Sequence, residues 1–332
     1  MFKFLAYLLT IFIIIEGVKC EEITDNNNNN TEDKEEYSLY NSNIRKTSSH
    51  DSLILLSDNY LVSRSKSGLE ILIWDLSEEE IVLRLNKTIN HKITRMVLLK
   101  NGDLATGCFN GDILIWDLAS GQIKQHLVAH TDMILSLSSL DNQTLASSSL
   151  NKQVYIWDIA NERVKFNLTR DNKYFIESLV SLENMYLVGG SIDQTIIIWN
   201  ATNGEIIQIL IVKEGPFMSL KLLPNDDLAC ASYDGIIVIL DMKNYTIKRK
   251  IRWHLFISSI DLLPNGDLIS VSHFEVKIWN VTSGVCKQTI EIGGSKSIEP
   301  LANNDLAFEI DYGRILIYEK DSNYTTRYEL FN

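Results

Sequence analysis

His130 to Asp158 reads HTDMILSLSSLDNQTLASSSLNKQVYIWD, and this stretch decides the fold. Two short β-rich runs, Leu135–Leu140 and Leu145–Ser149, flank a polar link, and a third run, Val154-Tyr-Ile-Trp-Asp158, stays apolar until it ends on an aromatic and an acid. Alternating short strands with a turn-forming link predict an antiparallel hairpin followed by a third strand. The third strand is apolar at consecutive positions, so neither of its faces suits water.

Working outward, the same ending recurs at a regular step. Ile71–Asp75, Ile113–Asp117, Val154–Asp158, Ile196–Asn200, Ile237–Asp241, Val276–Asn280 and Ile315–Glu319 place the aromatic position at residues 74, 116, 157, 199, 240, 279 and 318. A second pattern, Leu-x-Asn/Asp-x-x-Leu, starts at Leu56, Leu99, Leu140, Leu182, Leu223, Leu263 and Leu301. Its Asn-Gly and Pro-Asn centres are turn chemistry. After each aromatic comes a polar turn and a fourth run: Ile81–Leu85, Ile123–Leu127, Arg163–Leu168, Glu205–Leu210, Thr246–Ile251, Lys287–Ile292 and Thr325–Leu330. Seven units of four antiparallel strands predict an all-β, seven-bladed propeller, because only blades covered on both sides by neighbours can hide such third strands. Thr325–Leu330 is the expected outer strand of the last blade, with Tyr37–Ile44 competing for that place.

The remaining composition bounds the function. The chain has 332 residues, of which 45% are hydrophobic and 22% charged, with a formal net charge of −12. Its basic residues form no stripe, so nucleic acid is not expected as a partner. Residues 1–20 combine Lys3, the apolar run Phe4–Ile15 and a more polar end, the layout of a secretory signal peptide cut after Gly17 or Cys20. That run is too short to span a bilayer, and no later segment could, so no membrane span is expected after cleavage. Residues 21–47 are acidic and Asn-rich, which predicts a disordered spacer; the repeats occupy 48–332. The cysteines Cys108, Cys230 and Cys286 encode no disulfide framework. Candidate glycosylation sequons stand at Asn29, Asn86, Asn142, Asn167, Asn200, Asn244, Asn280 and Asn323.

Catalytic chemistry is not legible. His50, His91, His126, His130, His254 and His273 have no Cys or His partner at ligand spacing, so no metal and no cofactor are assigned. Asp103, Asp227, Asp267 and Asp305 recur in one hairpin turn of different units, which makes them turn residues and not a converging acid–base pair. Gly189-Gly190 reads as close packing within a strand.

Ile-Trp-Asp at this step, after Leu145–Asn151 and Ala129-His130, resembles the WD-repeat β-propeller family over residues 48–332. The resemblance implies a hydrogen-bonded tetrad of His130, Ser147, Asn151 and Trp157 in the third blade, with Asn where the family has Asp. Elsewhere the tetrads look largely eroded: Thr106, Asn110 and Trp116 lack a histidine in place, Asp193 and Trp199 remain in the fourth blade, and Leu240 replaces the tryptophan of the fifth. It also implies a partner face built by loops. Carried over by spacing, that face holds Phe109, Leu150, Ile192 and Tyr233 from loops and Lys92, Met133, Leu135, Phe175, Glu177, Met218 and Phe256 from the first strands. An exposed apolar ring with Tyr233 and Phe175 as its anchors is the expectation. The function so implied is a non-catalytic scaffold, not an enzyme, for a protein or peptide ligand in the secretory pathway or outside the cell. Two alternatives stand beside it: an intracellular (cytoplasmic) adaptor such as a ubiquitin-ligase substrate receptor, and a propeller enzyme or carbohydrate-binding protein.

Overall fold

A computed structural model describes residues 53–57, 59–85, 91–168, 174–253, 255–292, 297–309, 315–320 and 325–330. The chain divides into two units, Met1–Ser49 and His50–Asn332, and every described residue lies in the second. The expectations for the N-terminal 47 residues, the strand candidate Tyr37–Ile44, and the sequons at Asn29, Asn86 and Asn323 fall outside the described residues.

Seven four-stranded antiparallel sheets follow one another along the chain, each built from four consecutive strands. They span residues 53–85, 93–127, 134–167, 176–211, 217–252, 259–291 and 297–330, and are numbered here as blades 1 to 7. First strands touch from blade to blade, and that of blade 7 touches blade 1, so the ring is closed. The outer strand of blade 7 is Thr325–Leu330, paired with Ile315–Glu319.

The third strands explain the ring. In blade 2, Ile113 and Ile115 sit in the core shared with blade 3, while Leu114 and Trp116 sit in the core shared with blade 1. Side chains of a strand alternate between faces, so consecutive apolar residues require a neighbour on both sides. Seven such inter-blade cores occur, the last joining Leu53, Leu61, Leu72 and Trp74 of blade 1 to Ile315, Ile317 and Leu330 of blade 7. Each buried aliphatic side chain contributes about 1.5–3 kcal/mol.

The acid or amide that follows each aromatic has a local reason. Asp75 Oδ1 accepts the Ser77 N–H at 2.9 Å, Asp117 Oδ1 those of Ala119 and Ser120 at 2.9 and 3.0 Å, and Asn200 Oδ1 that of Thr202 at 2.9 Å. An Asx side chain thus closes the turn into the outer strand. Hydrogen bonds from Ser77 to Asp75, from Ser120 to Asp117, from Asn161 to Asp158 and from Asn244 to Asp241 hold these carboxyls below their ordinary range. In all seven blades the register slips by one residue where the outer strand meets the aromatic position, as at Ile156/Trp157 and Ile198/Trp199. Such a bulge adds twist where the bulky ring must be accommodated.

The hairpin aspartates do more than turn the chain. Asp103, Asp227 and Asp267 are buried and receive Lys124, Lys248 and Lys287 from the outer strand of their own blade at 2.8, 2.7 and 2.6 Å. They brace second strand to outer strand, a role that turn chemistry alone did not predict. The ring seam has its own polar contacts: Glu299 Oε1 of blade 7 accepts the Leu55 N–H of blade 1 at 3.1 Å, and Arg64 of blade 1 lies 3.7 Å from Glu309 of blade 7. Cys108, Cys230 and Cys286 are free; burial pushes the Cys108 thiol up to about 12 and raises that of Cys230 as well, so neither is a reactive thiolate.

Candidate functional site

In blade 3, Trp157 Nε1 donates to Ser147 Oγ at 2.7 Å, Ser147 Oγ lies 2.7 Å from His130 Nε2, and His130 Nδ1 lies 3.3 Å from Asn151 Oδ1. One proton arrangement satisfies all three contacts: the Ser147 hydroxyl donates to Nε2, and Nδ1–H donates to Asn151. The imidazole is then neutral. Burial lowers the His130 pKa to about 4, against which the Asn151 hydrogen bond raises it. An amide in place of a carboxylate supplies no charge to hold a proton on the ring. Gly111 packs beneath, where a Cβ would stand 2.6 Å from the His130 carbonyl.

Hydroxyl-to-indole bonds are more widespread than the sequence pattern suggests. Trp74 donates to Ser63 at 2.8 Å, Trp116 to Thr106 at 3.0 Å and Trp279 to Ser270 at 2.7 Å. The indole half of the tetrad therefore persists in blades 1 and 6 as it does in blade 2, although the tetrads as wholes are eroded there. The serine at this position stands across from the residue two before the tryptophan, as Ser63 does from Leu72 and Ser270 from Lys277. That cross-strand offset was the signal in the sequence. The other blades solve the position differently: Gly189 stands opposite Ile197 in blade 4, Cys230 accompanies Leu240 in blade 5, and Phe308 packs edge-on against Tyr318 in blade 7 at 5.1 Å.

The expected partner face is brought together, but not as an exposed ring. Lys92 is exposed, and Phe109, Leu150 and Phe256 are half-buried. Met133, Leu135, Phe175, Ile192, Met218 and Tyr233 are buried, with Leu135 and Ile192 only 1% accessible and Phe175 2%. Three of the loops are pinned by their backbone. Phe109, Leu150 and Tyr233 donate their N–H groups to the carbonyls of Lys92, Met133 and Pro216, just before the first strand of the same blade. Tyr233, pinned in this way, stacks on Phe256 at 5.6 Å. Buried Phe175 is a packing residue and not an anchor. Glu177 is buried as well and meets Arg95 at 3.5 Å, an ion pair that reaches from blade 4 to blade 2 past the first strand of blade 3.

At blades 5 and 6 this face has an open site. A cavity of about 580 Å³ is lined by Leu255, Phe274, Glu275, Glu291 and Ile292. Leu255 belongs to the loop entering blade 6, and Phe274 to the loop between that blade's second and third strands; Phe274 is 50% exposed. Glu275 and Glu291 face each other across adjacent strands, an arrangement of like charges that costs stability unless a cation compensates it. Glu275 accepts the Trp253 indole N–H at 2.8 Å and has Lys277 at 3.7 Å, while Glu291 is exposed. Motif rules of metal and nucleophile spacing do not reveal this site, because it is assembled from two loops and two strand ends.

A family model described as WD domain, G-beta repeat matches residues 121–158, from the outer strand of blade 2 through the third strand of blade 3. That span contains the whole tetrad. These findings support a WD-repeat β-propeller. No curated protein matches the chain significantly. WD-repeat propellers are typically non-enzymatic. Among the described residues no group of three or more His, Cys, Asp or Glu side chains could hold a metal ion, and no helix is long and apolar enough to cross a membrane. Of the sequon asparagines, Asn142, Asn167 and Asn244 are exposed, whereas Asn200 and Asn280 are half-buried and use Oδ1 to close a turn.

Proposed function

We propose that this propeller is a non-catalytic scaffold that binds a protein segment at the junction of blades 5 and 6, taking an apolar side chain against Phe274 and Leu255 and a basic one beside Glu275 and Glu291. The observation that carries the reading is the cavity of about 580 Å³ with a half-exposed phenylalanine at its wall. Concave sites with an apolar wall and a few convergent polar groups are where ligands bind, and aromatic side chains concentrate interface energy. The facing carboxylates favour a cationic neighbour over an anionic one.

The same reading takes the chain through the secretory pathway, supported by the layout of residues 1–20 and by the exposed sequons at Asn142, Asn167 and Asn244. The test is capture of partners by the chain recovered from the medium of cells that express the full sequence. Phe274→Asp is expected to lose the captured protein segment, and the outer-strand pair Lys124→Ala with Arg163→Ala to retain it. Loss with the outer-strand pair and retention with Phe274→Asp would move the site to the blade edges. A chain that never reaches the medium removes the secretory part, and the same comparison is then made in cell extract.

A further inference from the structure

Outer strands are the exposed edges of a propeller, and among the described side chains those of five blades are guarded by basic residues. Glu80–Leu85 carries Arg84, Gln122–Leu127 Lys124, Arg163–Asn167 Arg163 and Lys165, Thr246–Arg252 four basic residues, and Cys286–Glu291 Lys287. Lysine and arginine on an edge discourage pairing with another chain. The outer strand of blade 4, Glu205–Ile211, reads EIIQILI and has none. Ile207, Ile209 and Ile211 are 41%, 40% and 70% exposed on one side of it.

The difference begins at the brace described above. Register places Tyr186 and Ile207 of blade 4 where blade 2 has the ion pair of Asp103 and Lys124. Tyr186 is itself 37% exposed. Blade 1 has a similar apolar pair in Tyr60 and Val82, but Arg84 follows and engages Glu70. In blade 4 the apolar row continues to the end of the strand.

We infer that this edge is a self-association site, where two copies of the chain pair their Glu205–Ile211 strands antiparallel about a two-fold axis at Ile209. Three features favour a second copy as occupant. Val212 donates its N–H inward to the Gln194 carbonyl at 3.1 Å. By antiparallel alternation, Ile211 and Ile209 then turn their N–H and C=O groups outward, ready to bond a new strand. With Ile209 opposite its own copy, Ile211 comes opposite the bulged residue Ile207 of the second copy and the reverse, so the exposed row meets apolar side chains only. The same register brings Glu205 to the end of the facing strand, where Lys213 stands, so the charges at both ends are complementary. The contact is isologous and closes at two copies. A basic strand such as Thr246–Arg252 brought up to itself would instead oppose like charges.

Sedimentation of the full chain over a concentration series tests this. A monomer–dimer equilibrium is expected, and Ile209→Lys, which sets two ammonium groups face to face, is expected to raise the dimer dissociation constant at least about tenfold. In a second arm, Ile209→Cys under mild oxidation is expected to give a disulfide-linked dimer, because residues opposite each other in a bonded antiparallel pair lie about 5.5 Å apart at Cα. Lys250→Cys, the equivalent position in blade 5, is expected to give none. A monomer at every concentration overturns the inference, as does a dimer indifferent to Ile209→Lys or equal cross-linking at the two cysteines. A monomer that takes up only a foreign strand at this edge overturns it too, since the occupant is then another protein.

Discussion

In blade 3 the indole of Trp157 donates to Ser147, which continues the hydrogen-bonded chain to His130 and Asn151. In blade 4 the same register sets Trp199 beside Gly189, and the buried Trp199 Nε1 has no hydrogen-bond partner among the described residues. Both blades have four strands, the same pairing order and the same bulge at the tryptophan. Their outer strands differ in kind as well: Arg163–Asn167 alternates charged and half-buried residues, while Glu205–Ile211 exposes isoleucines. One backbone plan is therefore held in two ways, by a wired polar network or by apolar contact alone. The polar route leaves titrating and directional groups in the core, and the apolar route leaves close packing with no slack.

That contrast is sharpest in acid. Buried and bonded as a neutral ring, His130 has a folded pKa lowered to about 4, against about 6.5 when the chain is unfolded. Between these values the unfolded chain binds a proton that the folded one refuses, so stability rises with pH across the window. The contribution is fully present above about pH 6.5 and is lost as pH falls towards 4, amounting to about 3 kcal/mol. The turn-closing aspartates Asp75, Asp117, Asp158 and Asp241 have depressed carboxyl pKa values, so they lose their contribution in still more acid solution and leave this window to the imidazole. Urea unfolding at a series of pH values is expected to give a slope between pH 4 and 6.5 that shrinks in His130→Gln. An unchanged slope in that variant would mean that His130 does not titrate in this range.

A smaller effect comes from trying to convert blade 4 to the pattern of blade 3. Gly189→Ser restores the hydroxyl that Trp199 lacks, yet a Cβ at Gly189 would stand 2.7 Å from Trp199 Cζ3 and 2.9 Å from Ile176 Cγ2. Overpacking of this sort costs about 1–3 kcal/mol, more than one hydrogen bond returns. Net destabilisation is expected, with Gly189→Ala as costly as Gly189→Ser, since the Cβ and not the hydroxyl is at fault. A Gly189→Ser protein that melts higher than wild type would show that the two routes are interchangeable.

The same contrast explains what could be read from the chain. Apolar periodicity and turn residues disclose the seven blades and the strand limits to within about a residue; they leave the outer strand of blade 7 between Thr325–Leu330 and Tyr37–Ile44, and it is Thr325–Leu330 in the structure. Wired blades announce themselves, because His130, Ser147 and Trp157 must be those residue types to bond as they do, and the family model matches there. Exposure was not legible. Phe175 and Ile192 occupy strand and loop positions that spacing assigns to the surface, yet both are buried against their neighbours. Cross-blade partners were equally hidden, since the contact of Arg95 with Glu177 joins residues 82 apart. The cavity at Phe274 has no sequence signature for the same reason.

The finest test isolates the single bond that separates the two blades. Trp157→Phe and Trp199→Phe remove the same ring atoms from equivalent, fully buried sites, so their packing costs largely cancel when one is subtracted from the other. What remains is the Nε1–H. Trp157 gives up a 2.7 Å bond to Ser147, while Ser147 keeps its contact with His130. Trp199 gives up a buried donor that has nothing to bond, and the removal of such a group is neutral or favourable. Trp157→Phe is therefore expected to be more destabilising than Trp199→Phe by about 1–2 kcal/mol in denaturant unfolding. Equal costs would break the comparison between the blades, because they would require Trp199 to have a partner of its own, and an ordered water beside Nε1 is the group that could serve.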